Sequence, residues 1–287
     1  MALKEIKTRI ASVGNTRKTT SAMKMVSSVK LRKAQQAIQY ALPYSESLAG
    51  ILQKLSSVSQ VQTSSELIQE RESVGRVAIV GFSSDSSLCG GFNANIIRYT
   101  KGLCSDIRKE TGTDPMLYTV GLKITDSLTK EGLKPLTDFS AIMANRLYAD
   151  AEKMADELMD LYMEHKIDKV VLAYTHFVSP GCQRIVQETL LPISIPDSGE
   201  KRELDYILEP SAGELLEELL PKSVRVRLFA VMLDSYASEQ AARVIAMQAA
   251  TENADSLIGE LTLLYNKLRQ QAITNELLDL AGSAQND

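Results

Sequence analysis

Val244–Asn275 reads VIAMQAATENADSLIGELTLLYNKLRQQAITN. Within it Val244, Met247, Thr251, Ala254, Ile258, Leu261, Tyr265, Leu268, Ala272 and Asn275 recur in alternating steps of three and four. A repeat near 3.5 residues is the spacing of one helix seated along another, and it predicts a coiled-coil strand. The start of the chain supplies a partner. Leu3, Ile6, Ile10 and Val13 are followed by Thr16, Thr20, Met23 and Ser27, with one shortened step after Val13. The seam over Thr16–Ser27 is small and polar, so it buries little apolar area and calls for support from outside. Two ordinary amphipathic helices packed on a globular core would share part of this pattern.

Proline and glycine agree with helical ends. All eight prolines lie between Pro43 and Pro221, and twelve of the fifteen glycines lie between Gly50 and Gly213. The proline-free ends, 1–42 and 222–287, could form helices of roughly 60 and 90 Å. Compact domains rarely hold helices so long, so these should protrude or thread through something. The first helix is also charged. Residues 1–40 carry nine Lys/Arg against a single acid, Glu5, whereas the remainder carries 23 basic and 35 acidic side chains. Such an arm seeks an acidic surface, whether nucleic acid, anionic lipid or an acidic protein loop.

The middle alternates strands and helices. Arg76–Phe82 (RVAIVGF) and Lys169–Phe177 (KVVLAYTHF) are β-branched and apolar, and Met116–Val120 is a shorter strand candidate. Asn93–Lys109 and Ala144–His165 carry helical spacing. Arg184–Ile193, after the Ser179-Pro180-Gly181 turn, should pair back on Lys169–Phe177. The alternation predicts a wound, Rossmann-like α/β domain over 74–195. It would be inserted between the two parts of a discontinuous coiled coil, 1–60 and 210–287. Residues 56–65 and 196–202 read as linkers, with 196–209 leading into the last helix. At 287 residues, 44% hydrophobic and 24% charged, the chain is an ordinary two-domain globular protein, not a disordered or fibrous one. The longest apolar runs are about five residues, far short of the roughly 20 that span a bilayer. No apolar run follows the basic start as a secretory leader would require. Three scattered cysteines suggest a reducing compartment.

Candidate chemistry is thin. Ser83–Asn93 (SSDSSLCGGFN) sits where α/β folds bind phosphate, between a strand and a helix. It contains neither Gly-x-Gly-x-x-Gly nor a Lys-Ser/Thr after the glycines, and a tight turn explains Gly90 and Gly91 equally well. Cys89 would need a base, and His176, at the end of another strand, has no evident orienter. The residues offer no metal-ligand spacing. On residues alone a coiled-coil interaction protein leads, with a basic nucleic-acid-associated protein and a nucleotide-dependent α/β enzyme as alternatives. One aromatic in the first 40 residues, Tyr40, and a pI near 5.5 speak against the former. The missing phosphate loop speaks against the latter.

Longer motifs add a resemblance. Ala237–Leu280 resembles the C-terminal helix of the gamma subunits of rotary ATP synthases. Ile6-Lys7-Thr8-Arg9-Ile10, Thr20–Val26 and Lys30-Leu31-Arg32-Lys33 resemble their N-terminal helix. Leu88–Asn93 resembles a motif of their central domain, and Asp205-Tyr206 with Glu209-Pro210 their run into the last helix. Two departures fall in the central domain. Ser86-Ser87 stands where the family usually has Arg-Gly, and Tyr174-Thr175-His176-Phe177 where it usually has Tyr-Asn-Lys-Phe.

The resemblance implies a non-catalytic rotor subunit without cofactors. Its coiled coil would turn inside a ring of alpha and beta subunits, its base resting on the membrane rotor ring beside the epsilon subunit. It would couple proton flow to ATP synthesis or hydrolysis. By the same resemblance Arg17, Lys18, Met23, Lys24, Arg32 and Lys33 would meet acidic beta-subunit loops. Arg269, Gln270 and Thr274, with Arg243 further down the helix, would meet a beta loop, and Tyr206 and Glu209 the ring. The implied location is peripheral, at the cytoplasmic face of a bacterial inner membrane.

Overall fold

The computed structural model describes residues 3–56, 65–71, 74–139, 147–195, 208–209 and 211–283. The elements run α1 (Leu3–Ser56), β1 (Val77–Phe82), α2 (Phe92–Thr111), β2 (Met116–Val120), α3 (Leu122–Lys130) and β3 (Thr137–Asp138). They continue through α4 (Tyr148–Met163), β4 (Lys169–Ser179), β5 (Cys182–Leu191) and α5 (Ala212–Ser283). This is a mixed α/β fold with helices at both ends and one central sheet. The two expected linkers lie largely outside the described residues, as do Asp205, Tyr206 and Pro210.

The prolines do not end the terminal helices. Pro43 lies inside α1 and Pro221 inside α5, so both helices are longer than the proline-free stretches suggested. An interior proline removes one backbone hydrogen bond and costs about 3 kcal/mol. Burial of Leu48, Leu52 and Leu55 on α1 and of Leu216, Leu220 and Val224 on α5 offsets that cost.

Contacts divide the chain into two units. The larger, Val29–Ala242, holds a five-stranded sheet of order β3-β2-β1-β4-β5. β1 pairs in parallel with β2 and β4, and β5 returns antiparallel on β4. A strand covered on both faces reads as a continuous apolar run, and all six residues of β1 are buried. Alternate side chains explain the two cores. Val77 and Ile79 join Leu117, Val171 and Ala173 against Ile96, Leu103 and Ile107 of α2 and Ile124 and Leu128 of α3. Ala78, Val80 and Phe82 join Val170, Leu172 and Tyr174 against Met154, Leu158 and Tyr162 of α4, Leu31 and Leu52 of α1, and Leu216, Leu220 and Leu228 of α5.

The turn after β2 depends on glycine. Gly121 has φ +103°, and a Cβ there would lie 2.2 Å from the Ser83 carbonyl oxygen. That approach lets the Ser83 hydroxyl bond the Gly121 carbonyl and accept from Ile124 N in the first turn of α3. α3 and the two-residue β3 were not apparent from the sequence.

The smaller unit comprises Met1–Ser28 and Arg243–Asp287. Two side-chain contacts fix its pairing. Arg17 Nη1 donates to Asp255 Oδ1 at 2.8 Å, and the Thr20 and Thr251 hydroxyls lie 2.8 Å apart. Rising numbers on α1 meet falling numbers on α5, so the helices run antiparallel here. Ile6, Thr20 and Ser27 are buried on α1, and Met247, Ala254 and Leu261 on α5. Three expectations need correction. Thr16 is exposed, its hydroxyl bonded to the Ser12 carbonyl, because in that turn Arg17 is the residue that reaches α5. Asn275 is exposed too. Arg243 is buried, only 6% exposed, because it shares the Met247 face of α5 four residues away.

Candidate functional site

Most of the positions singled out from the sequence fall on the two terminal helices, and several are exposed there. In the smaller unit Arg17 and Lys18 are exposed and Lys24 is half-buried. Met23 is also half-buried, between buried Thr20 and Ser27, so it lies at the edge of the helix–helix contact. Arg17 is already paired to Asp255, with both side chains about half exposed (46% and 53%). Arg269, Gln270 and Thr274 are exposed on one stretch of α5, where the Thr274 hydroxyl donates to the Gln270 carbonyl at 2.9 Å. Arg243, buried, is not part of that surface. In the larger unit Arg32 and Lys33 are exposed neighbours on α1, and Glu209 is exposed just before α5. Tyr206 lies outside the described residues.

The strand-to-helix loop Ser83–Asn93 is held by its own side chains. Asn93 Oδ1 accepts from Ser84 N (3.1 Å) and the Ser84 hydroxyl (3.0 Å), and Asn93 Nδ2 lies 3.2 Å from Cys89 Sγ. Cys89 is buried, 2% exposed. Asp85 Oδ1 accepts from Leu122 N. Leu88 takes φ +67° and leaves its side chain exposed. An open cleft of about 570 Å³ beside the loop is lined by Asn93, Arg98, Lys101, Lys123 and Ser127, with Lys101 paired to Glu131. These cations could attract an anion, but a nucleophile with an adjacent base is not assembled there. His176 is engaged elsewhere, its Nδ1 donating to Asp234 Oδ2 at 2.6 Å. Among the described residues no group of His, Cys, Asp or Glu is arranged to hold a metal, and no helix is long and apolar enough to cross a membrane.

Sequence reasoning missed the polar contacts that tie α5 to the α/β body. Arg225 Nε donates to Asp156 Oδ1 of α4 at 2.7 Å. Arg227 reaches both oxygens of Glu188 on β5, at 2.6 and 2.5 Å. Tyr174, whose hydroxyl donates to Glu188, is held neutral because burial, with the Glu188 charge beside it, pushes its ionisation up. The only sequence trace of these contacts is the charged pair Arg225 and Arg227 within an otherwise apolar stretch.

Similar proteins give this architecture its class. A chain of the Euglena gracilis mitochondrial ATP synthase, in a cryo-EM structure of its OSCP, F1 and c-ring, superposes with a TM-score of 0.66 at 17% identity, covering 99% of this chain and 93% of that one. A central stalk and c-ring structure of the Tetrahymena thermophila mitochondrial enzyme gives 0.61 at 22% identity, covering 81% and 99%. The fold is therefore that of ATP synthase central-stalk proteins.

Sequence comparison is more specific. A family profile described as ATP synthase matches residues 2–286. The ATP synthase gamma chain of Phocaeicola vulgatus is 49% identical over 99% of both chains, and that of Geobacter metallireducens 41% identical over 99% of this chain and 98% of its own. The chain belongs to the ATP synthase gamma-chain family.

Proposed function

We propose that this chain is the central-stalk rotor of an F-type ATP synthase, coupling ring rotation to conformational change in an alpha/beta head. It has no catalytic role of its own. The antiparallel pairing of Arg17 with Asp255 and of Thr20 with Thr251 carries this reading. It makes a slender two-helix segment from the two ends of the chain, with a seam of hydroxyls and cations on its flanks. We read that segment as part of an antiparallel coiled coil formed by 1–60 and 210–287. Residues 74–195 form the inserted Rossmann-like domain, and 196–209 the link at its base.

The work is done through differential contact. A rotor face that stabilises one beta-subunit conformation over another at each angle shifts the population of catalytic states by that difference. Arg17, Lys18, Lys24, Arg32 and Lys33 would meet acidic beta loops, with Met23 as an adaptable uncharged contact among them. Arg269, Gln270 and Thr274 would hydrogen-bond a beta loop higher on α5. Buried Arg243 would act through the packing of α5 and not by direct contact. Tyr206 and Glu209 would lie toward the membrane ring, beside the epsilon subunit. With no membrane-crossing helix among the described residues, attachment would be peripheral, through the ring, at the cytoplasmic face of a bacterial inner membrane.

The test is complementation. Membranes stripped of their own gamma chain should regain ATP synthesis and ATP-driven proton pumping when this chain is supplied with its alpha, beta and epsilon partners. Arg269→Ala with Gln270→Ala should then lower synthesis and hydrolysis together while leaving assembly intact. Normal turnover in the assembled double variant would remove that contact from the account. Failure of this chain to co-assemble would remove the rotor reading.

A further inference from the structure

Beyond Ala173, β4 pairs among the described residues with β5 alone. The outer part of this ribbon therefore needs an anchor other than the sheet. The last helix supplies one at two points. Arg227 grips Glu188 of β5 through two nitrogens of its guanidinium, Nε and Nη2, a geometry stronger and more directional than a single ion pair. Seven residues later Asp234 takes a backbone hydrogen bond from Phe177 N at 2.8 Å and a side-chain one from His176 of β4 at 2.6 Å. A seven-residue step returns to the same helix face, about 10 Å further along the axis. Between the two points lies a small cavity of about 140 Å³, lined by Tyr174, His176, Phe177, Arg227 and Asp234 together with Ile38 and Ala41. The cavity interrupts an apolar contact in which Leu228, Val231 and Met232 share one core with Tyr174, with Phe177 and Val186 packed against it, so the polar contacts add direction to packing that is itself non-directional.

We propose that Arg227–Glu188 and Asp234–His176/Phe177 form a two-point clasp that makes α5 turn with the α/β body. These four side chains are then positioning residues for torque transfer. One contact alone would act as a pivot. Two contacts, to different strands and spaced along one helix face, resist both sliding and rotation about the helix axis. The proposal rests on the rotor reading. His176 is also one of the family departures noted in the sequence, and the Asp234 pairing gives that departure a role.

The test uses the whole enzyme in membranes, reading ATP hydrolysis and ATP-driven proton pumping side by side. Arg227→Glu and Asp234→Ala should keep hydrolysis and lose pumping per ATP hydrolysed. Asp234→Asn, which retains an acceptor for Phe177 N, should keep more of it. Glu188→Arg combined with Arg227→Glu should regain what Arg227→Glu alone loses. Pumping that stays proportional to hydrolysis in the single variants overturns the clasp, and so does a swap that restores nothing. If Arg227→Glu fails to assemble, assembly regained in the swap supports the contact and assembly still lost overturns it. Membranes carrying the unaltered chain report separately: hydrolysis without pumping there overturns the rotor reading itself.

Discussion

The two units of this chain are built on opposite economies. In Val29–Ala242 the central strand β1 is buried along its whole length, and Ile79, Val80, Leu172 and Ala173 are almost wholly buried. In the smaller unit the seam holds Thr20 against Thr251, and the nearest ion pair, Arg17–Asp255, is half in water. Burying apolar area stabilises by roughly 25 cal/mol per Å², so the larger unit can fold on its own packing. The smaller helix pair buries fewer apolar side chains, Ile6, Met247, Ala254 and Leu261 among them, beside Thr20 and Ser27. On the proposed rotor reading a surrounding head would support it, which suits a surface that contacts other subunits in turn.

That contrast can be attacked from its strong side first. Leu172→Ala, at a fully buried site of β4, should destabilise the larger unit by about 2–5 kcal/mol, measured by urea unfolding of the isolated chain. A cost below about 1 kcal/mol would mean the sheet is less tightly packed than its burial implies.

The next effect depends on pH. Asp168 is largely buried, which raises its pKa. Backbone hydrogen bonds from Arg76 and Gly75 and the Arg76 guanidinium outweigh that and hold it below the ordinary carboxylate range. A depressed folded-state pKa contributes stability that is present above the unfolded value and lost as pH falls through the folded one. Asp168→Ala should therefore cost about 1–3 kcal/mol at neutral pH. The gap from the unaltered chain should close below about pH 4. A gap constant down to pH 2 would contradict the charge-based account.

Smaller still is the seam. Thr20→Val with Thr251→Val replaces both hydroxyls by methyls of similar shape, a change that can be neutral or stabilising. It should alter unfolding by less than about 1 kcal/mol, and a large loss would show the hydroxyl pair to be a main support. Smallest is Arg17→Ala. An ion pair this exposed is worth about 0–1 kcal/mol, and the difference should fade as salt is added.

The same contrast explains what could be read in the sequence. The terminal helices were legible because their period runs over many turns, and β1, β2, β4 and β5 because β-branched runs stand between breakers. Proline positions alone would have ended the helices at 42 and 222, whereas the coiled-coil bounds of 1–60 and 210–287 already ran past Pro43 and Pro221; tertiary burial offsets the local penalty. Thr16 was misplaced because a thin polar seam tolerates neighbouring positions on either side, so the period cannot say which residue faces inward; Arg243 was named from the family resemblance, which carries no information on burial. α3, with only Ile124 and Leu128 to mark it, and the two-residue β3 were too short to carry a pattern. The clasp was invisible for a different reason. Glu188 and Arg227 stand 39 positions apart and His176 and Asp234 58, and only the sheet brings them together.

One property of the chain makes rotation directly measurable. Cys182, at the start of β5 in the β4–β5 hairpin, is the exposed one of the three free cysteines, while Cys89 and Cys104 are buried. Burial also pushes the Cys104 thiol up to about 11, leaving it protonated and slow to react near neutral pH. A probe attached through Cys182 can therefore be followed in an assembled complex whose alpha/beta head is fixed to a surface. A rotor should turn the probe in one direction when ATP is added and stop when hydrolysis is blocked. A complex that hydrolyses ATP while the probe on Cys182 stays still would contradict the account.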